Sequence, residues 1–352
     1  MTNLNRRSFM KGTLIAAGGG VLPSVAAAQH ANGEPPEPLA RSFRFVHFGD
    51  THVGAPATLP LSASDEGYPK AIHHVQNMED PADFILHSGD IITDAFWATK
   101  ESTLAQWKVY NQIIKDHLTL PIHYTVGNHD INFGWDLGDA STPFPGKITF
   151  LEQTGLEKPY YSFDHKGWHF IVLDNQQRGG YNGFTHHLDE AQYEWLEKDL
   201  AETDPSKHIV ISSHAPILTV TCFFCPSNKE HPDGLVIPND WVQTDVERLH
   251  KLFRKYPNVR LCLSGHFHAV DHVEYLGIHH ICGGAVCADY WRKPLPYAPE
   301  HEAGFGVVDL FDDGSFEYRY VDYGLVGYED DRKRERFPWE KQYRGRPQEK
   351  KA

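Results

Sequence analysis

Five short apolar segments of this chain each end in residues that can bind a metal ion, and this recurrence constrains the fold more than any other feature. The five groups are Gly49-Asp50-Thr51-His52, Gly89-Asp90, Gly127-Asn128-His129-Asp130, Ser213-His214 and Gly265-His266-Phe267-His268. Four of them begin with glycine, which lets a chain turn sharply at a strand end and approach a ligand closely. The pattern predicts strands that bring metal-binding side chains together where they end.

The apolar runs before these groups predict buried strands, with helical patterns between several of them. The predicted strands cover residues 43–48, 84–87, 122–126, 169–173, 208–212 and 259–263, and helical spacing occurs at 103–118 and 190–200. A further apolar helix face runs from Val242 to Phe253 after the capping candidate Asp240. This alternation predicts an α/β domain with ligands at the carboxyl ends of its strands.

From about residue 268 to 320 the pattern changes to strands joined by glycine turns, such as Asp313-Gly314. Turns of this kind are typical of hairpins. We therefore expect an antiparallel addition to the α/β domain.

The chemistry of the five groups limits which metal ions could bind. Asp50 and His52 stand two residues apart, so on an extended segment both side chains point to the same side. Aspartate, asparagine and histidine without a thiolate form a hard to borderline ligand set, which suits Mn, Fe or Zn and argues against a structural zinc site. A lone Gly-Asp or His-x-His has little weight in a chain with 23 histidines, whereas all five groups in order are specific.

Together, the five groups resemble those of the calcineurin-like metallophosphoesterases, over residues 41–287 and more loosely to residue 323. The resemblance implies a four-layer α/β/β/α sandwich and two metal ions. One ion would be held by Asp50, His52 and His268, and the other by Asn128, His214 and His266, with Asp90 bridging the two.

The resemblance also implies a reaction. Paired ions of this kind stand about 3.5–4 Å apart, share a hydroxide and clamp the oxygens of an in-line displacement at phosphorus. His129 would act as general acid or as a charge-stabilising donor to the leaving oxygen, and Asp130 would orient its imidazole.

Departures from the family narrow the branch. Thr93 stands where the similar purple acid phosphatases have a tyrosine ligand, and the segment 91–95 lacks the Asp-Arg-Gly of protein Ser/Thr phosphatases. The long C-terminal substrate domain of 5′-nucleotidases is also not expected. The branch that remains contains cyclic-nucleotide and glycerophosphodiester phosphodiesterases, which act on small or lipid-derived phosphate esters.

Three alternatives to a phosphodiesterase stay open. A phosphomonoesterase, of the acid phosphatase or nucleotidase kind, would use the same fold. A non-catalytic metal or phosphate binder is disfavoured because the ligand set is complete and His129 is present. An oxidoreductase is disfavoured by the Asp-Asn-His ligands and by the missing carboxylate-helix pattern of di-iron bundles.

The N-terminus predicts export. Arg6-Arg7 precede a hydrophobic pair, a short Gly-rich apolar stretch and Ala26-Ala27-Ala28. This order resembles the twin-arginine signal of bacteria and implies a signal peptide over 1–28, a Pro-rich linker over 29–40 and a periplasmic or secreted protein that uses the twin-arginine machinery. The alternative is a disordered cytosolic N-terminus with a chance arginine pair. No transmembrane segment is expected, since no later stretch approaches about 18 consecutive apolar residues.

Charge sets limits on partners. The 33 Lys and Arg residues against 47 Asp and Glu give a net charge of −14, which excludes a general nucleic-acid binder. The domain is expected over 41–325 and a charged tail over 326–352, with nine basic and three acidic residues from Arg332 onwards. The tail is interpreted as solvated over an acidic body, with a membrane or partner contact as the alternative.

The remaining candidates are weaker. Five cysteines are too few for a disulfide scaffold; Cys222 and Cys225 form a local disulfide or stay thiols, and Cys262 is a core residue. Asp174 either supports the site or caps a strand end. Five further residues could either line a substrate pocket or simply pack in the structure or lie exposed on its surface, and the second interpretation is favoured. They are Trp135, His186, His187, Tyr290 and Trp291. The loop 219–240 is expected to contribute to specificity.

Overall fold

The computed structural model describes residues 40–54, 63–223, 236–287, 303–324 and 342–345. The predicted signal peptide and nearly all of the predicted linker therefore lie outside the described residues. Within the part that is described, no helix is both long enough and apolar enough to cross a membrane.

Two six-stranded sheets form the body of the chain. The first has the order β14-β13-β12-β1-β2-β3, with β1 at Arg41–Phe48, β2 at Ile85–His87, β3 at Ile122–Tyr124, β12 at Gly304–Phe311, β13 at Phe316–Asp322 and β14 at Gln342–Gly345. The second has the order β10-β11-β9-β8-β5-β4, with β4 at Tyr161–His165, β5 at Trp168–Val172, β8 at His208–Ser212, β9 at Val259–Ser264, β10 at Val270–Tyr275 and β11 at Ile278–Gly283.

A separate hairpin and five helices complete the described elements. The hairpin consists of β6, Gln176–Arg178, and β7, Phe184–His186. The helices are α1 at Ala63–Gln76, α2 at Lys100–His117, α3 at Ile148–Thr154, α4 at Glu190–Glu202 and α5 at Val246–Phe253. Two 3-10 turns cover Asn128–Asp130 and Thr221–Phe223.

Alternation along the strands divides the interior into three apolar layers. In β1, Phe43 and Phe45 point between the two sheets, whereas Val46 and Phe48 point toward α1 and α2. In β5, Phe170 lies between the sheets and its neighbour Ile171 packs toward α4. This order of layers, helix, sheet, sheet and helix, confirms the predicted α/β/β/α sandwich.

Parallel strands at the centre of each sheet explain where the site lies. β1, β2 and β3 run parallel to one another, and so do β5, β8, β9 and β11. The carboxyl ends of neighbouring parallel strands meet at one edge of a sheet. Because each of the five metal-capable groups follows one of these strands, the fold brings them together.

The predicted antiparallel addition is present but is divided between the sheets. β10 and β11 pair at the edge of the second sheet, whereas β12 and β13 pair in the first and are joined through Asp313-Gly314. β14 adds a strand to the edge of the first sheet from within the segment assigned to the charged tail.

One helix begins later than predicted. α5 starts at Val246 after Asp245, so Asp240 is not its cap. The residues between Asp240 and α5 form turns, and the Asp240 backbone instead reaches the site.

Candidate metal centre

The first group of ligand atoms comes from the ends of β1 and β9. His52 Nε2 lies 3.0 Å from His268 Nε2, and His268 Nε2 lies 3.4 Å from Asp50 Oδ1. The Asp50 carboxylate also accepts the backbone N–H of His266 at 2.9 Å. All three side chains are buried.

The second group comes from the ends of β3, β8 and β9. His214 Nε2 lies 3.0 Å from Asn128 Oδ1 and 3.2 Å from His266 Nδ1. The backbone carbonyl of Asp240 accepts from His266 Nε2 at 3.0 Å. That bond fixes the proton on Nε2 and turns Nδ1 toward His214, the usual arrangement for an imidazole that binds a metal.

Asp90, at the end of β2, lies between the two groups. Its Oδ2 is 3.6 Å from His52 Nε2 and 3.2 Å from His214 Nε2. Its Oδ1 accepts the backbone N–H of His129 at 2.8 Å. The carboxylate is therefore oriented by the loop after β3, and one oxygen faces both groups.

The spacing of these atoms fits metal ions. Zinc–nitrogen bonds of about 2.0–2.1 Å place neighbouring ligand atoms about 3–3.5 Å apart. The observed separations of 3.0 to 3.6 Å are of this size, and they join imidazole nitrogens to one another and to carboxylate or amide oxygens. The residues present therefore suit metal ions of the borderline kind.

Electrostatics inside the cluster follow from burial and from Asp90. Burial lowers the pKa of His52 well below its usual value. Burial acts in the same direction on His214, but the Asp90 carboxylate opposes it and raises the pKa of His214 to about 9. Since a bound imidazole must be neutral, metal binding at His214 displaces a proton.

Backbone strain is concentrated at the predicted ligands. Among the described residues, seven non-glycine residues have a positive φ, and five of these are predicted ligands with φ between 44° and 76°: Asp50, His52, Asp90, His266 and His268. Such conformations cost about 1–3 kcal/mol each and persist where the surrounding structure enforces them. These backbone conformations direct the five side chains from the strand ends into the site.

Two glycines permit the close approach of the loops. A Cβ atom on Gly127 would overlap the Asp90 backbone and carboxylate, and one on Gly265 would overlap the Asp50 carboxylate. Any larger residue would push the loop away from a ligand. This is the close approach that the sequence predicts for the Gly-led groups.

His129 stands beside the cluster, half-buried. Its ring packs edge-on against His52, with centroids 4.8 Å apart, and one of its ring nitrogens lies within 4.8 Å of ligand atoms of His52 and Asp90. Its Nδ1 donates to the backbone carbonyl of Thr93 at 2.7 Å. The proton on Nδ1 leaves Nε2 as the nitrogen available for exchange with substrate.

The expectation that Asp130 orients His129 needs correction. The Asp130 carboxylate accepts backbone N–H groups from Gly127 at 2.9 Å and from Ile91 at 2.8 Å, so it ties the loops after β2 and β3 together. Burial, with the neighbouring Asp90, raises its pKa to about 7. The carbonyl of Thr93 orients His129 instead, because it is the acceptor that faces Nδ1.

One residue at the site has no local sequence signal. Cys287 Sγ lies 3.9 Å from His268 Nδ1, and the Cys287 backbone N–H donates to the Asp50 carbonyl at 3.2 Å. Sγ and the ligand nitrogens of His52 and His268 all lie within 4.8 Å of one another. Cys287 follows β11 and is distant in sequence from both histidines, so only the fold reveals this contact.

His186 also belongs to the surroundings of the site. Its ring is fully buried 5.0 Å from that of His266, and its Nε2 donates to the same Asp240 carbonyl at 2.9 Å. Burial lowers the pKa of His186 to about 3, so the ring is neutral. It was predicted to be a packing or pocket residue, and it packs against a predicted ligand.

The other weak candidates are structural or fall outside the described residues. Asp174 pairs with buried Lys147 and caps its strand end by accepting the Gln176 N–H at 3.0 Å. Trp135 is half-buried and donates to the Ala98 carbonyl. Cys262 is in the core, as predicted. His187 is half-buried, whereas Cys225, Tyr290 and Trp291 lie outside the described residues.

Comparison with known proteins finds matches over the part of the chain that carries the motifs. A sequence model of the calcineurin-like phosphoesterase family matches residues 43–270. A 3′,5′-cyclic-nucleotide phosphodiesterase of Nostoc is 22% identical over 270 residues, covering 76% of this chain and 87% of the relative. A probable glycerophosphodiester phosphodiesterase of Arcobacter nitrofigilis is 27% identical over 229 residues, covering 64% of this chain and 72% of the relative.

The fold is similar to that of a solved phosphatase. The crystal structure of a dimetal phosphatase from Danio rerio superposes with a TM-score of 0.58 at 14% identity, covering 88% of this chain and all of that chain. At this identity the likeness shows the fold alone.

Proposed function

The chain belongs to the calcineurin-like phosphoesterase family, and from that membership we propose that it is an exported hydrolase of phosphodiesters with two metal ions in its active site. The observation that carries the proposal is the position of Asp90. A single carboxylate oxygen lies 3.6 Å from His52 and 3.2 Å from His214, between two separate groups of ligand atoms.

The residues of the site divide into metal ligands and a general acid. Asp50, His52 and His268 would hold one ion, and Asn128, His214 and His266 the other, of Mn, Fe or Zn. Metal ions bound there supply a nucleophilic water and neutralise charge on the phosphate. In its doubly protonated form, His129 would give the Nε2 proton to the leaving oxygen and become neutral, while its Nδ1–H stays bonded to the Thr93 carbonyl and keeps the ring in place.

Position 93 favours the diesterase branch over the purple acid phosphatases. The Thr93 hydroxyl donates to the His52 carbonyl at 2.6 Å and is buried, so it supports the loop after β1. A tyrosine ligand would have to replace this contact. The relatives named above include phosphodiesterases of two kinds, and the substrate proposed here is a small or lipid-derived phosphate diester.

The decisive assay compares diester and monoester hydrolysis. Metal-loaded protein is expected to hydrolyse bis-p-nitrophenyl phosphate with a higher kcat/KM than p-nitrophenyl phosphate near neutral pH. A monoester preference of about tenfold or more, equal to about 1.4 kcal/mol of transition-state discrimination, would favour the phosphomonoesterase alternative. Bound metal without hydrolysis of either ester would favour a non-catalytic binder.

Asp90→Asn tests the bridge in the same assay. The neutral amide cannot compensate two cations, so we expect metal affinity at least about tenfold lower and activity reduced with it. Asp309→Asn is the control, since Asp309 pairs with Arg44 in the amino-terminal half of β1, whereas the site follows the carboxyl end of that strand. An Asp90→Asn protein with two metals and wild-type turnover would remove Asp90 from the site.

Export is proposed from residues outside the described part of the chain. The order of Arg6-Arg7, the apolar stretch and Ala26-Ala27-Ala28 supports transport by the twin-arginine machinery. Replacing both arginines with lysine should retain the precursor in the cytoplasm, as measured by fractionation of the producing bacterium. Unchanged periplasmic accumulation would contradict the proposal.

A further inference from the structure

The one exposed tryptophan among the described residues stands next to His129. Trp97, in the segment between β2 and α2, is 62% exposed, although indole rings bury large areas when a core is available. Its ring centroid is 5.9 Å from that of His129, at an interplanar angle of 70°. An exposed indole therefore lies beside the residue that we propose protonates the leaving oxygen.

Trp97 packs against two phenylalanine rings. Phe96 contacts it edge-on at 4.9 Å between centroids, and Phe184 of β7 lies at 6.4 Å. The Trp97 backbone N–H donates to Asp94 Oδ1 at 3.0 Å. These contacts orient the ring while most of its surface faces solvent.

The rings form a continuous arc around one side of the site. From Phe184 the contacts continue to His186 at 5.6 Å and from His186 to His266 at 5.0 Å. This aromatic arc, made of His129, Trp97, Phe184, His186 and His266, begins at the proposed acid and ends at a proposed metal ligand. Trp97 is its exposed member, so it lies at the mouth of the site.

We propose that Trp97 is the platform on which the base of a nucleoside phosphodiester stacks, which makes cyclic or linear nucleotide diesters the substrate class. The inference rests on the proposed diesterase function. An aromatic face binds bases of any sequence by stacking. Because Trp97 adjoins His129, the base attached to the leaving sugar meets the indole when the leaving oxygen meets the acid.

The competing occupants fit this surface less well. A glycerol group has no flat face to stack on the indole. A quaternary ammonium is recognised by a cage of several aromatic rings, whereas the described phenylalanine neighbours of Trp97 pack edge-on against it and do not form a cage with it. The single exposed indole of Trp97 is suited to stacking against one nucleotide base.

The kinetic test uses Trp97→Ala and Trp97→Phe in the metal-loaded full chain. With adenosine 3′,5′-cyclic monophosphate, Trp97→Ala is expected to lower kcat/KM by about tenfold or more, equal to about 1.4 kcal/mol. Trp97→Phe should keep most of the wild-type value, since it retains a ring. With glycerophosphoethanolamine, both variants should stay within about twofold of wild type.

The control is Tyr275→Ala. Tyr275 is 49% exposed at the end of β10, and the site adjoins the opposite end of that strand. Tyr275→Ala should leave kcat/KM unchanged for both the cyclic nucleotide and glycerophosphoethanolamine. Equal losses for Trp97→Ala on both substrates would overturn the platform in favour of a structural role, and so would a loss confined to glycerophosphocholine, which would identify a cation site.

A binding measurement separates this inference from the proposed function. Calorimetry with adenosine 5′-monophosphate and glycerol 3-phosphate compares two ligands that share the phosphate and differ in the base. Wild type should bind the nucleotide more tightly, and Trp97→Ala should abolish the difference. If no diester is hydrolysed, the proposed function fails, yet this comparison still decides on Trp97, because equal affinities in the wild type would overturn the platform.

Discussion

His129 is the motif residue whose role depends most on a single hydrogen bond. Its Nδ1 is directed at the Thr93 carbonyl at 2.7 Å, which assigns the proton and leaves Nε2 for the leaving oxygen. The ring is half-buried beside His52, and neither proposed ion uses it as a ligand. Proton donation can therefore be tested separately from metal binding.

We expect His129→Ala to retain both metals while kcat falls by about 10²–10⁴-fold, the usual contribution of a positioned acid. The loss should be smaller on bis-p-nitrophenyl phosphate than on a glycerol or ribose diester, because nitrophenolate departs without much help from a proton. Metal analysis and kcat on the two substrates are the measurements.

Two outcomes would change the assignment of His129. Equal losses on both substrates would indicate that it stabilises charge on the phosphoryl oxygens. A large loss of bound metal would make it a ligand, which its position within 4.8 Å of His52 and Asp90 ligand atoms would then explain.

At the scale of elements, a histidine joins β4, β5 and α4 away from the site. His169 of β5 contacts Asp164 of β4 through Nδ1 at 2.7 Å and Asp199 of α4 through Nε2 at 2.9 Å. Burial lowers the pKa of His169, but the two carboxylates more than compensate and hold it above its usual value. The protonated ring therefore links three elements.

The sign of the pH effect follows from this raised pKa. Stabilisation by His169 is fully present below the unfolded pKa of about 6.5 and is lost as pH rises through the higher folded value. The difference in unfolding free energy between wild type and His169→Gln should shrink as pH rises above about 6.5, as measured by urea denaturation.

His208→Gln is the matched control. His208 begins β8, and burial lowers its pKa, so its titration should destabilise the wild type as pH falls below about 6.5. The two variants should thus show opposite pH trends. A difference for His169→Gln that is independent of pH would contradict the proposed link.

At the scale of the whole molecule, the metal centre should stabilise the fold. It gathers loops from both sheets, five strained ligands and the buried carboxylates of Asp50 and Asp90. Ions that bind only the folded state at 100 times their Kd add about 2.7 kcal/mol. Chelation should therefore lower Tm by several degrees, and calorimetry with and without EDTA measures it.

Asp90→Asn provides the comparison for this shift. Because it is expected to bind metal weakly, its Tm should respond less to EDTA than that of the wild type. An unchanged wild-type Tm after verified removal of the metal would show that the protein scaffold alone holds these loops in place.

Sequence patterns alone predict the family, the α/β/β/α class and the residues that gather at the site. Apolar runs ended by Gly-Asp, Gly-Asn-His or Gly-His-x-His are local patterns, and burial of the runs places their ends at one edge. Local patterns predicted two of the helices less well. α1 contains Pro69 and many polar residues, so it was not predicted, and α5 begins at Val246 although Asp240 offered an earlier cap.

Long-range packing, in contrast, sets how the site is arranged. It determined that one Asp90 oxygen lies between two ligand groups, that Thr93 orients His129, and that Cys287 and Trp97 adjoin the site. It also divided the antiparallel strands between two sheets. The physical reason is that these contacts join segments far apart in the chain, and their geometry depends on how two sheets pack, which no local spacing of residues encodes.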